Sequence, residues 1–319
     1  MIARGDAVAF CAAHFPRGPE ALAEHLGVIV RASPLVGCDG WCLWAAKSVI
    51  HLNSRKSKGR QRFTLAHELS HLILGTEGEV VGSGSGPYQA ESQEETQANQ
   101  LAAELLLPVR ELRGMGLCSP VDPLSLGRIA RAAGVTQVMA ACRIATLAPE
   151  LRLENATVLG FQSGKLVWRW SKTLSLPDDD SAVSLYQNAL RSASSVYRGP
   201  QADGQVFCAS VIKTQGFHAL FVQLLPAKVA ERKTADERRR ELEAWLFGED
   251  AAFRNSVNGQ FSSFLKRAQR EEMGVDGATD SFYEAYGSRW EEARARKMHS
   301  DWGREWVRLK FAMKLGTGG

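Results

Sequence analysis

No apolar run in these 319 residues approaches the roughly 20 residues that a bilayer-spanning helix needs. The first residues, Met1-Ile2-Ala3-Arg4-Gly5-Asp6, begin a mixed helix and not the apolar core of a signal peptide. The expectation is a cytoplasmic protein with no membrane partner. Cysteine is sparse. Of six, only Cys38 and Cys42 are close, at a spacing that is not a zinc-ribbon pair, so reduced thiols are expected. Charge of one sign is also missing: 39 Lys and Arg face 35 Asp and Glu, a net +4. That balance permits an acidic or nucleic-acid partner without requiring one. No internal repeat is present, which leaves ordinary globular domains, two by length alone.

What is present is His67-Glu68-Leu69-Ser70-His71, an H-E-x-x-H pattern. Positions i and i+4 share one helix face, so both imidazoles reach a single metal ion. Glu68, beside the first of them, is placed as a general base toward a water. Phe63, Leu65, Ala66, Leu69, Leu72 and Ile73 make this helix apolar nearly all round. A buried helix carrying two His and a Glu needs partners for them, and a cation supplies those partners.

A catalytic site of this kind takes a third protein ligand. Ala98, Leu101, Ala102, Leu105 and Leu106 form the stripe of a second core-facing helix, ended by Pro108. Glu95 and Asn99 share a face near that stripe, as ligand and as hydrogen-bond partner to a ligand His. Glu94 and Glu91 are rival ligands. Zn²⁺ suits two His and a carboxylate, and Mn²⁺ or Fe²⁺ takes the same donors. No binding residues for an organic cofactor are evident.

The stretch from about Glu20 to Leu147 resembles the ImmA/IrrE-type metallopeptidases. Ile50-His51-Leu52-Asn53, Arg60 to His71, and Glu95 to Pro108 carry the likeness, in that order. The resemblance implies His67, His71 and Glu95 as metal ligands and Glu68 as base. It further implies cleavage of a partner helix-turn-helix repressor, relieving transcriptional repression in responses such as stress. Gln97 departs from the family, where relatives often carry a second acid.

Around these motifs the expected fold class is α+β. Residues 1–118 form the metallopeptidase domain, with a small antiparallel sheet (Val28–Arg31, Trp41–Trp44, Ser48–Leu52) on the active-site helix. Its edge offers strand addition to a substrate backbone. Arg55, Lys56, Lys58 and Arg60 make a basic loop, read as solvated. Thr76–Gln93, rich in Gly and Ser, is expected to be a mobile loop, with Tyr88 an oxyanion-stabilising candidate.

Residues 119–150 form a helix-turn-helix-like segment. Its second helix, Gln137–Ile144, carries one Arg and one Gln, too few for a recognition helix, so a supporting role is expected. A non-catalytic DNA- or protein-binding regulator with a structural metal site is the alternative. Residues 151–226 read as a separate α+β domain with strands near 156–161, 166–170, 205–212 and 218–224 and a helix over 182–197. Its element order is compatible with the GAF-like sensor domain of one branch of the resembled family. Residues 227–319 read as helical, with aromatics packed inside charged amphipathic helices.

Overall fold

The structure is a computed structural model that describes residues 2–43, 48–76, 92–171, 174, 178–214 and 216–315. In chain order, α1 (Arg4–Ala13) and α2 (Gly18–His25) precede β1 (Ile29–Ser33), β2 (Gly40–Leu43) and β3 (Val49–Asn53). Five helices follow: α3 (Lys58–Leu74), α4 (Gln93–Leu106), α5 (Val109–Gly114), α6 (Pro123–Ala133) and α7 (Gln137–Thr146). Next come β4 (Ala156–Gln162), β5 (Lys165–Ser171), α8 (Asp179–Arg191), β6 (Tyr197–Ala202), β7 (Gln205–Lys213) and β8 (His218–Pro226). The remainder is helical: α9 (Ala227–Ala230), α10 (Ala235–Phe247), α11 (Ala251–Arg270), α12 (Val275–Tyr286), α13 (Glu292–Met298) and α14 (Asp301–Leu315). The chain is thus a mixed α+β fold.

The first sheet is not antiparallel throughout. Its order is β1-β3-β2, with β3 parallel to β1 and antiparallel to β2. Buried Asn53 explains the crossover. Its amide donates to Leu35 O and Cys38 O and accepts from Leu35 N, so the β1–β2 connection folds back over the end of β3. β3 then enters between its neighbours. Gly40 lets β2 lie directly on α3, since a Cβ there would sit 2.5 Å from Thr64 Cγ2 and 2.8 Å from His51 O.

Local chemistry sets the ends of the two helices that matter most. Ser57 caps α3 by accepting from Arg60 N, and Gly75, at φ 68°, ends it in the left-handed region. Ser92 caps α4 by accepting from Glu95 N. Arg62, one turn before His67, bonds both carboxylate oxygens of Glu20 on α2 and also donates to Pro16 O and Ala133 O. One guanidinium therefore joins α2, α3 and the end of α6. The basic loop is partly neutralised from within, because Arg60 and Lys56 both pair with Asp39, at 2.5 and 2.9 Å.

The second sheet is antiparallel, in the order β5-β4-β8-β7-β6. Its strands alternate cleanly. Leu159, Phe161, Leu220 and Val222 pack with α8, where Tyr186 stacks on Phe161 at 4.1 Å. Ala156, Val158, Ala219 and Phe221 face the other way and join the core that runs back to Leu69 and Leu101. The region expected to be separate thus has its own core on one face and shares the other. The chain at 119–121 is stitched to this sheet: Gln223 accepts from Val121 N and donates to Ser119 Oγ, and Ser210 donates to Val121 O.

The helix expected over 182–197 ends at Arg191, and Tyr197 begins β6. Gly199-Pro200 disguises that strand, and proline is tolerated there because β6 lies at the sheet edge. Helix α7 is buried at every residue from Val138 to Ala145, so it presents no face to a DNA groove. In the C-terminal helices Trp306 and Phe311 are fully buried, while Trp245 and Trp302 meet at the surface with their rings tilted by 60°. Of the expected strand 41–44, Trp44 lies outside the described residues, as do residues 77–91 with Tyr88 and Glu91.

The close approach at Gly40 yields a test of how β2 is seated. Gly40→Ala should destabilise the protein by about 1–3 kcal/mol, the usual cost of an overpacked contact. Chemical denaturation of both proteins measures this, and equal stability would mean β2 is not held against α3 as described.

Candidate metal centre

Helices α3 and α4 pack side by side and bring His67, His71 and Glu95 together; all three are buried. The Nε2 atoms of the two imidazoles lie 3.2 Å apart. Glu95 places Oε2 3.2 Å from His67 Nε2 and Oε1 3.2 Å from His71 Nε2. Glu94, the rival acid, is exposed on α4.

The outer nitrogen of each ring has a partner of its own. His67 Nδ1 lies 3.0 Å from Asn99 Oδ1. A carbonyl oxygen only accepts, so the His67 proton belongs on Nδ1 and the Nε2 lone pair faces inward. His71 Nδ1 lies 2.8 Å from Thr76 Oγ1. Burial, aided by the neighbouring His67, lowers the His71 pKa more than Glu95 raises it. The two His–Glu contacts bring ring nitrogens and a carboxylate to one point, an arrangement that a cation at its centre would bind.

The dimensions suit such a cation. Donors about 2.0–2.1 Å from a tetrahedral centre sit about 3.3 Å from one another, and the observed separations are 3.2 Å. Two imidazoles with Nδ1 bonded outward and one carboxylate form a three-donor set that leaves a position open.

Glu68 is buried beside His67. Burial raises its pKa, opposed by the Cys42 thiol and His67 and reinforced by Glu95, and the net direction is upward. A carboxylate with raised basicity suits proton transfer. Cys42 on β2 is half-buried, and burial followed by the Glu68 carboxylate pushes its thiol pKa up. Phe63 stacks against the His67 ring at 6.2 Å. Thr76, Cys42 and Phe63 are site residues that the sequence reading did not single out. Of these, the position of Thr76 just past the helix-ending Gly75 was the one available signal.

Asn99 is tested through the metal. Asn99→Ala should leave the fold intact and lower metal affinity about 10–100-fold, the usual cost of losing a partner to a ligand His. Competition against a calibrated chelator reads this directly, and unchanged affinity would remove Asn99 from the site.

Glu68 is tested through pH. A carboxyl whose folded pKa is raised stabilises the fold below its unfolded pKa, and that stability is lost as pH rises through the folded value. In metal-free protein, Glu68→Gln should therefore raise the Tm at pH 8 while the two proteins converge near pH 4. A gain that instead grows toward low pH would reverse the direction assigned to Glu68.

Residues 23–145 match the family model described as the IrrE N-terminal-like domain. Over 85 residues the chain is 38% identical to the radiation response metalloprotease IrrE of Deinococcus radiodurans. That match spans 26% of this chain and 26% of the relative, about a quarter of each. Among solved structures, a Mycobacterium tuberculosis transcriptional regulator superposes with a TM-score of 0.45 at 14% identity, over 69% of this chain and 74% of that one. The α3–α4 pair and the three donors it carries lie within residues 23–145, and this segment belongs to the ImmA/IrrE type.

Proposed function

We propose that the chain is a metal-dependent endopeptidase that makes an internal cut in a regulatory protein, a helix-turn-helix repressor, and so relieves repression in the cytoplasm. The observation that carries this reading is the convergence of His67, His71 and Glu95 with Glu68 buried alongside. His67, His71 and Glu95 are the proposed ligands, for Zn²⁺ ahead of Mn²⁺ or Fe²⁺, because two imidazoles and one carboxylate are a zinc donor set in catalytic sites. When bound, the ion polarises the scissile carbonyl and acidifies water.

The protein's own groups do the rest. Glu68 takes a proton from the attacking water and passes it to the leaving amine, for which its raised basicity suits it. Asn99 and Thr76 hold the two imidazoles with their inner nitrogens free for the ion. β2 is an outer strand of its sheet and packs on α3, with Cys42 beside Glu68. An extended substrate added to that edge would run past the base. The buried second helix, α7, favours this reading over a DNA-binding regulator. The repressor as substrate rests on the family likeness.

Glu68→Gln should keep the fold and the metal while cleavage falls about 10²–10⁴-fold, the span general-base catalysis supplies. The assay is incubation with the product of a neighbouring repressor gene, with and without chelator. Cleavage at the wild-type rate by the variant would overturn the mechanism.

A further inference from the structure

A cavity of about 370 Å³ lies between α3, α4, α7 and β5. It borders Asn99 and Phe63, which touch His67, but none of His67, Glu68, His71 or Glu95, so it adjoins the candidate metal centre without including its donors. Phe63, Met139 and Trp170 give it apolar walls. The Trp170 ring is fixed there, donating to Cys142 O at 3.2 Å and Thr146 Oγ1 at 3.0 Å.

Arg143 stands in this apolar setting. Its residue is 7% exposed, yet it lines the cavity. Its Nε donates to Leu107 O at 3.2 Å. Among the described residues neither Nη atom has a hydrogen-bond partner, and no carboxylate oxygen lies within ion-pair distance. Glu104, also on the cavity wall, is engaged by Arg4 at 2.8 Å. Glu150, the other acid on the wall, is exposed. Burial opposes the Arg143 charge, while Glu104 and Glu150 favour it from beyond ion-pair distance. A carboxylate in the cavity would supply the direct bidentate partner that neither acid provides.

We propose that this cavity is a binding site for a small monocarboxylate with an apolar body, its carboxylate on the Arg143 Nη atoms and its body against Trp170, Met139 and Phe63. The volume falls within the roughly 300–1,000 Å³ of small-molecule sites, which are mainly apolar with a few convergent polar groups. A single buried cation beside two acids accepts one negative charge and disfavours phosphates and other polyanions. Asn99 gives the cavity one wall and gives His67 its acceptor, so the occupant borders the metal centre without entering it.

The test is isothermal titration of the full chain with 3-phenylpropionate, its neutral amide and inorganic phosphate. Saturable binding of the carboxylate is expected, with the amide about tenfold weaker or worse, since hydrogen bonds to charged groups contribute at least that factor. Phosphate should not bind. Arg143→Gln should weaken the carboxylate by about tenfold or more. Ala103→Leu, which fills the cavity and leaves Arg143 in place, should abolish binding and decides the matter if the first variant does not fold. No saturable binding, equal affinity for acid and amide, or affinity unchanged in a folded variant would each overturn the proposal.

Discussion

Two imidazole lone pairs and a carboxylate face one another across about three ångströms in the interior of a helix pair, and much of the N-terminal structure serves to hold them there. A cation at their centre would bind all three. The scaffold must therefore be rigid enough to keep the donors converged, which is what preorganises a site for a divalent cation. Ser57 and Gly75 set the ends of α3, Arg62 fixes it to α2 and to the close of α6, and Gly40 admits β2 against its side. Asn99 and Thr76 then fix the rings from outside. Each contact is modest, and together they leave the imidazoles little freedom to turn away.

Glu68 is held by the same arrangement for a different end. Its carboxylate lies in a buried setting beside Cys42 and near Glu95, which raises its proton affinity. A fold optimised only for stability would not place an acid there. The cost of burying the carboxylate is local, and under the proposed function its raised proton affinity suits a general base.

Much of this site was legible in the sequence because helical spacing is a local property. His67 and His71 had to share a face, and Glu95 and Asn99 had to share another. What helical spacing does not encode is which elements meet. Nothing local says that Cys42 comes to Glu68, since that depends on β2 packing on α3. The parallel pairing of β1 with β3 was missed because three nearby strands read most simply as a meander, and the redirecting group is one buried Asn53. β6 was missed because Gly199-Pro200 argues against a strand unless the strand is at an edge. Arg143 shows the converse case. In sequence it was a lone base on a possible recognition helix, and only tertiary packing makes it a buried cation on a cavity wall. The shared face of the second sheet was likewise hidden, because alternation reveals two apolar faces but not what covers each.

The central claim is that His67, His71 and Glu95 converge on one cation. Metal titration of the purified chain, with bound zinc quantified by mass spectrometry, tests it most directly. One ion per chain is expected for the wild type, with loss of that ion in Glu95→Gln and the fold retained. Full occupancy without the Glu95 carboxylate, or no binding by the folded wild type, would contradict it.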